Sequence, residues 1–133
     1  MYAVEVRDHI MVAHSLPGEV FGPAQRRHGA TFIVDVAFLA ESLGRDRTVV
    51  DIGRAAMLLR EVLAPLSYAD LDKALPGELT TTEYLCRLIF DRMAEAALGG
   101  RLGRGGQDLA AIRVTLHESH LARAWYEGPL GRG

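Results

Sequence analysis

The sequence predicts an α+β fold, ββ-αα-ββ in order, with a four-stranded antiparallel sheet and two helices on one of its faces. Three observations carry that expectation. Apolar residues alternate with a period of two from Tyr2 to His14 and again from about His28 to Leu39. After Asp51 and after Thr80 the period becomes helical, and from Ile112 to Tyr126 the alternation returns. A chain of 133 residues with 49% hydrophobic and 24% charged residues has the size and composition of one domain around one core.

Taken in order, Tyr2, Val4 and Val6, then Ile10, Val12 and His14, mark one side of a half-buried strand. Leu16 to Gln25 keeps no period and holds Pro17, Gly18, Gly22 and Pro23, so it reads as a loop. The second strand places Ala30, Phe32, Val34, Val36 and Phe38 on one face and Thr31, Ile33, Asp35 and Ala37 on the other. It should pair antiparallel with the first. Asp51 is the candidate N-cap of a helix lined by Ile52, Ala55, Ala56, Leu59, Val62 and Leu63, which Pro65 ends or bends. A second helix begins at Thr80-Thr81-Thr82-Glu83, where a threonine and the glutamate three residues later can form a capping box. Leu85, Ile89, Met93 and Ala96 give its buried stripe, and Cys86, the single cysteine, is expected in the core beside them. Gly99 to Gly106 reads as a glycine-rich connector, without the strand-loop-helix context of a phosphate loop. Ile112, Val114 and Leu116 then alternate with Arg113, Thr115 and His117, Ala122 to Tyr126 makes a last strand, and Gly128 to Gly133 a frayed end. Such a sheet has two open edges, and pairing of those edges between copies is expected.

Composition narrows the partners. The formal charge of -2 is spread over interspersed Arg, Asp and Glu, with no basic block to follow a phosphate backbone. No segment approaches the ~18 consecutive apolar residues of a membrane span, and Met1 to Asp8 lacks the features of a signal peptide. No nucleic acid, no membrane and a cytoplasmic location are the resulting expectations.

Several short motifs then fall in order. Val12-Ala13-His14-Ser15-Leu16 ends the first strand and His28-Gly29-Ala30-Thr31-Phe32 opens the second. Thr48-Val49-Val50-Asp51-Ile52 opens the first helix, Thr81-Thr82-Glu83 the second, and Leu116-His117-Glu118-Ser119 closes the third strand. Together they resemble the 6-pyruvoyl-tetrahydropterin synthase / 6-carboxytetrahydropterin synthase family over roughly residues 4 to 126. The resemblance implies the tunnelling fold (T-fold): sheets joined edge to edge into an oligomeric β-barrel, as trimers or as hexamers of two rings, with active sites between subunits. It also implies a zinc ion on three histidines, a cysteine and an Asp-His pair that move protons, and a glutamate that grips the pterin ring.

The departures shape the functional expectation. His14 and His28 match two zinc ligands, but Ala30 stands where the third belongs, so zinc is possible only on a weak site. Ala24 takes the place of the cysteine. Leu66-Ser67-Tyr68 takes that of the Leu-Asp-His motif, the alternative register Leu71-Asp72-Lys73 requiring a deletion. His9 has the wrong strand parity to join His14. His14, His28, Tyr68 and Asp70 are therefore the candidate catalytic residues, and Glu118, Thr81, His120 and Arg27 the candidate substrate-binding residues. Glu118 continues the apolar face of its strand, where it grips a ligand or pairs with Arg113, Arg123 or Arg27. The expected function is that of a diverged lyase or cyclase catalysing acid/base elimination, dehydration or cyclisation of a cyclic small molecule in a specialised biosynthetic pathway. The family's own reaction on dihydroneopterin triphosphate and a non-catalytic pterin-binding or scaffold role are the alternatives.

Overall fold

The computed structural model describes residues 1–103 and 106–130. Its elements run β1 (Tyr2–His14), two 3-10 turns within Glu19–Gln25, β2 (His28–Ala40), α1 (Ile52–Leu63), the one-turn α2 (Leu71–Ala74), α3 (Thr82–Leu98), a 3-10 turn at Gly106–Asp108, β3 (Ala111–His117) and β4 (Arg123–Gly128). The strands form one antiparallel sheet in chain order.

Register follows from the hydrophobic pattern. The β1/β2 hairpin runs from the pair Tyr2 and Ala40 at one end to the pair His14 and His28 at the other. Along the whole sheet, as in Val6 with Val36, Phe38 with Ile112 and Val114 with Tyr126, even-numbered residues oppose even-numbered ones. They therefore share one face. That face is the core: Ile10, Val34, Val36, Phe38, Ile112, Val114 and Leu116 are fully buried beneath α1, which packs on β1, and α3, which packs on β3 and β4. Leu59 of α1 and Leu85, Ile89 and Met93 of α3 meet them from above. Cys86 lies among these residues, fully buried, as its helical position suggested.

Five local differences from the sequence pattern have physical causes. In α1 the buried side is Ala55, Leu58, Leu59 and Leu63, while Ile52 is 61% exposed and Ala56 is also exposed. Taking Leu58 into the stripe rotates its centre away from Ala56. The cap of α3 is Thr81, whose Oγ1 accepts from the Tyr84 N–H at 3.1 Å, so the capping box written for Thr80 and Glu83 lies one residue off. Consecutive threonines offer the same capping chemistry at neighbouring registers, and burial of Thr80 decides between them. The one-turn α2 was not foreseen, because four residues show no periodicity; Asp70 caps it by accepting from the Asp72 N–H. The loop after β1 contains 3-10 turns on either side of Gly22, whose φ of 51° suits glycine. The last strand extends to Gly128 and the chain stays packed through Leu130, which is 5% exposed, so the end is not frayed up to that point. Within the glycine-rich connector Gly100 and Gly103 adopt φ of 84° and 75°. Residues 104 and 105 of that connector, and 131 to 133 of the expected frayed end, lie outside the described residues.

The outer edge of β1 is covered at its His14 end alone. Tyr68 N–H donates to the Met11 carbonyl at 2.6 Å and Ala13 N–H to the Ala69 carbonyl at 3.0 Å, which makes a short parallel bridge. Among the described residues, no helix is long and apolar enough to cross a membrane.

Candidate active site

The end of the hairpin brings two predicted residues together. His14 is the last residue of β1 and His28 the first of β2, and as directly opposed partners they share the core face. Their ring centroids are 4.6 Å apart, with an interplanar angle of 57°, and Phe32 packs edge-on against His14 at 6.3 Å between centroids. His14 is 3% exposed, while His28 is half-buried at the mouth.

Each ring is held through Nδ1. His14 Nδ1 lies 3.0 Å from Thr80 Oγ1, and His28 Nδ1 lies 2.8 Å from the Arg26 carbonyl. No described hydrogen bond uses Nε2 of either ring. Burial first, and then His28, push the His14 pKa below the ordinary imidazole value; the Thr80 main chain, Asp72 and Glu118 oppose this. A depressed pKa keeps the ring neutral near pH 7, as a proton acceptor must be.

Thr80 and Asp72 are the residues that sequence reasoning missed. Thr80 is 1% exposed and turned to His14 rather than to the helix end. Asp72 accepts from both the N–H and the hydroxyl of Ser15, at 3.1 and 2.7 Å, which ties α2 to the residue after His14. Those two hydrogen bonds lower the Asp72 pKa. The sequence signal for Asp72 was the alternative register through Leu71-Asp72-Lys73; for Thr80 the run of three threonines offered too many roles.

The remaining candidates divide. Asp70 and Arg27 form an ion pair with each other, while Asp70 also caps α2. With Tyr68 they line a hollow of about 300 Å³ beside the covered edge of β1. Tyr68 is 80% exposed and holds φ at 56°, an uncommon conformation for a tyrosine, fixed by its N–H on Met11. Thr81 serves as helix cap. Glu118 lies just beyond β3, exposed, in a turn closed by its N–H on the Ala122 carbonyl. It is thus not the buried end of a strand face. Nor does it pair with the arginines considered for it: Arg113 binds Glu127 and Arg27 binds Asp70. Its carboxylate is near enough to act on His14. His120 is exposed in the same turn. His9 points away from the pocket beside Asp8, as its parity requires.

As a zinc site, the donor set is one short. His14 and His28 each offer an Nε2, but Ala30, two residues along the same face and paired with Val12, offers a methyl group. No described group of three or more His, Cys, Asp or Glu residues could hold a metal ion. These residues do not fit the three-ligand site that open zinc centres ordinarily use. Cys86 lacks the character of a reactive thiol, since burial raises its pKa to about 11 and its Sγ donates to the Ala124 carbonyl.

Two hollows of about 560 and 570 Å³ lie at the other end of the hairpin, around Ala40 to Thr48 and Tyr2 to Val4. Cavity size in one chain therefore does not coincide with the chemistry.

A model of the family described as 6-pyruvoyl tetrahydropterin synthase matches residues 3–129. The chain belongs to this family. The fold agrees: 6-pyruvoyl tetrahydropterin synthase from Caenorhabditis elegans superposes with a TM-score of 0.77 at 20% identity, over 96% of this chain and 95% of that one. The enzyme of the same name from Plasmodium vivax gives 0.71 at 13% identity, over 97% and 99%. An uncharacterised protein from Wolinella succinogenes gives 0.65 at 13%, over 94% and 97%. No curated protein sequence matches the chain. Family membership makes a lyase-type activity the coarse expectation, and the α+β subunit anticipated from the motifs, a four-stranded antiparallel sheet with helices on one face, is the one observed.

Proposed function

We propose that this family member is a diverged lyase or cyclase that acts on a cyclic small molecule by acid/base chemistry, with His14 and His28 handling protons and Glu118 orienting the substrate. The observation that carries this is the imidazole pair, buried His14 and half-buried His28, held through its Nδ1 atoms beside Ala30, where a third imidazole would complete a zinc site. In an elimination, an Nε2 takes the proton as the substrate C–H bond breaks. The released electron pair forms a double bond as the C–O bond to the leaving group breaks. The departing oxygen then receives a proton from the protonated imidazole, so the protein is unchanged after one turnover.

Glu118 offers a carboxylate that is free of described ion pairs and acts electrostatically on His14, suited to a paired N–H grip on a planar ring. Tyr68 and the Arg27–Asp70 pair stand at the covered edge of β1, where an adjoining subunit of a trimer or hexamer would complete the pocket. A specialised pathway in the cytoplasm fits a scaffold that retains the family's shape without its thiol.

The test is a metabolite comparison between cells carrying the wild-type gene and cells carrying the His14→Gln, His28→Gln double variant. The variant should accumulate one compound heavier than the missing product by water or another small leaving group. Unchanged metabolites with both proteins equally abundant would leave the non-catalytic scaffold role standing instead.

A further inference from the structure

We infer that the one-turn helix α2 is a clamp that keeps the two imidazoles opposite each other, with Asp70 and Asp72 as its positioning residues. This rests on the acid/base reading of the histidine pair. His14 and His28 form the last rung of the β1/β2 hairpin. Beyond that rung the chain runs through residues 15–27, with Pro17, Gly18, Gly22 and Pro23, and the entropy of that loop works against closure. One main-chain hydrogen bond crosses the base of the loop, from the Leu16 N–H to the Ala24 carbonyl at 2.9 Å. Local opening is easiest at the ends of elements, so the rung that carries the chemistry is the one most in need of support.

α2 supplies that support to both strands. Asp72 accepts from the N–H and the hydroxyl of Ser15, the residue after His14, one on each carboxylate oxygen, at 3.1 and 2.7 Å. Asp70 holds the guanidinium of Arg27, the residue before His28, on Oδ2. Its Oδ1 accepts from the Asp72 N–H at 3.1 Å, which links the two acids directly. All four carboxylate oxygens are thereby engaged.

A clamp also needs a fixed body. Leu71 is fully buried, and the Ala13 N–H donates to the Ala69 carbonyl at 3.0 Å, so the segment is anchored both in the core and on β1. With one contact on each strand, α2 resists parting of the rung and also sliding. A slip of one residue in either strand would turn its imidazole to the other face of the sheet.

The test measures the rung itself in the full chain, as the nuclear Overhauser contact between the His14 and His28 rings. The contact between His14 and Phe32 is the internal reference. Arg27→Ala and Asp72→Ala should each weaken the first contact, and the double variant should lose it while keeping the second. Arg27→Lys, which retains a cation for Asp70, should match wild type. A double variant with the His14–His28 contact intact would overturn the clamp. Loss of both contacts together would do so too, since it marks loosening of the whole sheet end. Should Asp72→Ala not fold, Ser15→Ala combined with Arg27→Ala weakens the same two contacts from the strand side and decides the matter. No substrate enters this measurement, so a failed metabolite test would remove the acid/base reading while the clamp stood, and a failed ring measurement would remove the clamp alone.

Discussion

On the outer face of the sheet Asp35 is 4% exposed and fully engaged: Arg7 holds both of its oxygens, at 2.6 and 2.9 Å, and His117 Nε2 lies 2.7 Å from Oδ2. On the helix-covered face of the same hairpin His14 is buried to 3%, yet one of its two nitrogens has no described partner. Both clusters place a histidine and titratable groups at well-determined strand positions. In the Arg7–Asp35–His117 cluster every strong acceptor is matched by a donor, so its chemistry is closed and its role is to hold three strands in register. In the His14–His28 pair the protein fixes the orientation of the rings and leaves both Nε2 atoms without a described partner. Unmatched capacity in a rigid frame, rather than burial or charge, is what separates a site from a structural network here.

The sharpest way to break this contrast is to close the open cluster. Ala30→His should supply a third imidazole on the face that already holds His28, since residues two apart on a strand point the same way. Loss of a side chain that merely hydrogen-bonds a ligand costs a zinc site about 10- to 100-fold in affinity, so a whole ligand should exceed that range. Zinc affinity measured by competition with a chromophoric chelator should rise by at least about a hundredfold over wild type. Equal affinities would mean that the two imidazoles are not oriented towards a shared centre.

Opening the closed cluster is the reverse experiment. Asp35→Ala removes charge-assisted hydrogen bonds from Arg7 and His117 and should lower unfolding stability by about 2–3 kcal/mol in urea titrations. The His14 and His28 ring signals should not move, because the sheet separates the two clusters. The pH dependence has a definite sign. The Arg7 side chain foremost, helped by His117 and opposed by burial, holds the Asp35 pKa below its ordinary 3.8. The unfolded chain therefore binds this proton first as pH falls, so the Asp35 contribution is complete above the unfolded value and is lost on descending through it towards the folded one. Melting temperatures followed from neutral pH to about pH 3 should fall more steeply for wild type than for Asp35→Asn, and parallel curves would refute the linkage.

How far the two clusters could be foreseen differs for a physical reason. Strand period two fixed the face of every sheet residue, so His14, His28, Ala30 and the exclusion of His9 were legible, as were the fold and the cap at Asp51. The partners that define the site were not. Thr80 lies 66 residues from His14 and Asp72 lies 57 from Ser15, and no local pattern records such contacts. Asp35 was assigned only to the face opposite Phe32 and Val34, since alternation gives the face of a side chain without saying what stands beside it. Glu118 was misjudged through the opposite error: parity was carried one residue beyond the end of β3, into a turn where it no longer holds.

Thr81→Ala tests the division of labour within the threonine run. Loss of the N-cap should cost about 1 kcal/mol of stability without altering the His14 ring signals. If the variant instead altered those signals, helix capping by Thr81 and the Thr80 contact to His14 would not be separate functions of neighbouring residues.

The smallest effect on stability is expected at Glu118, and that smallness is informative. The side chain is exposed and has no described ion pair, so Glu118→Gln should change unfolding free energy by less than about 0.5 kcal/mol. Its carboxylate favours the protonated form of His14, so the variant should lower the His14 pKa further in an NMR titration. A residue that contributes nothing to the fold, yet acts electrostatically on a buried histidine, has its value in what enters between them. In the metabolite comparison Glu118→Gln should reproduce the accumulation seen for the histidine double variant. Destabilisation beyond about 1 kcal/mol, with metabolites unchanged, would place Glu118 with Asp35 among the structural groups.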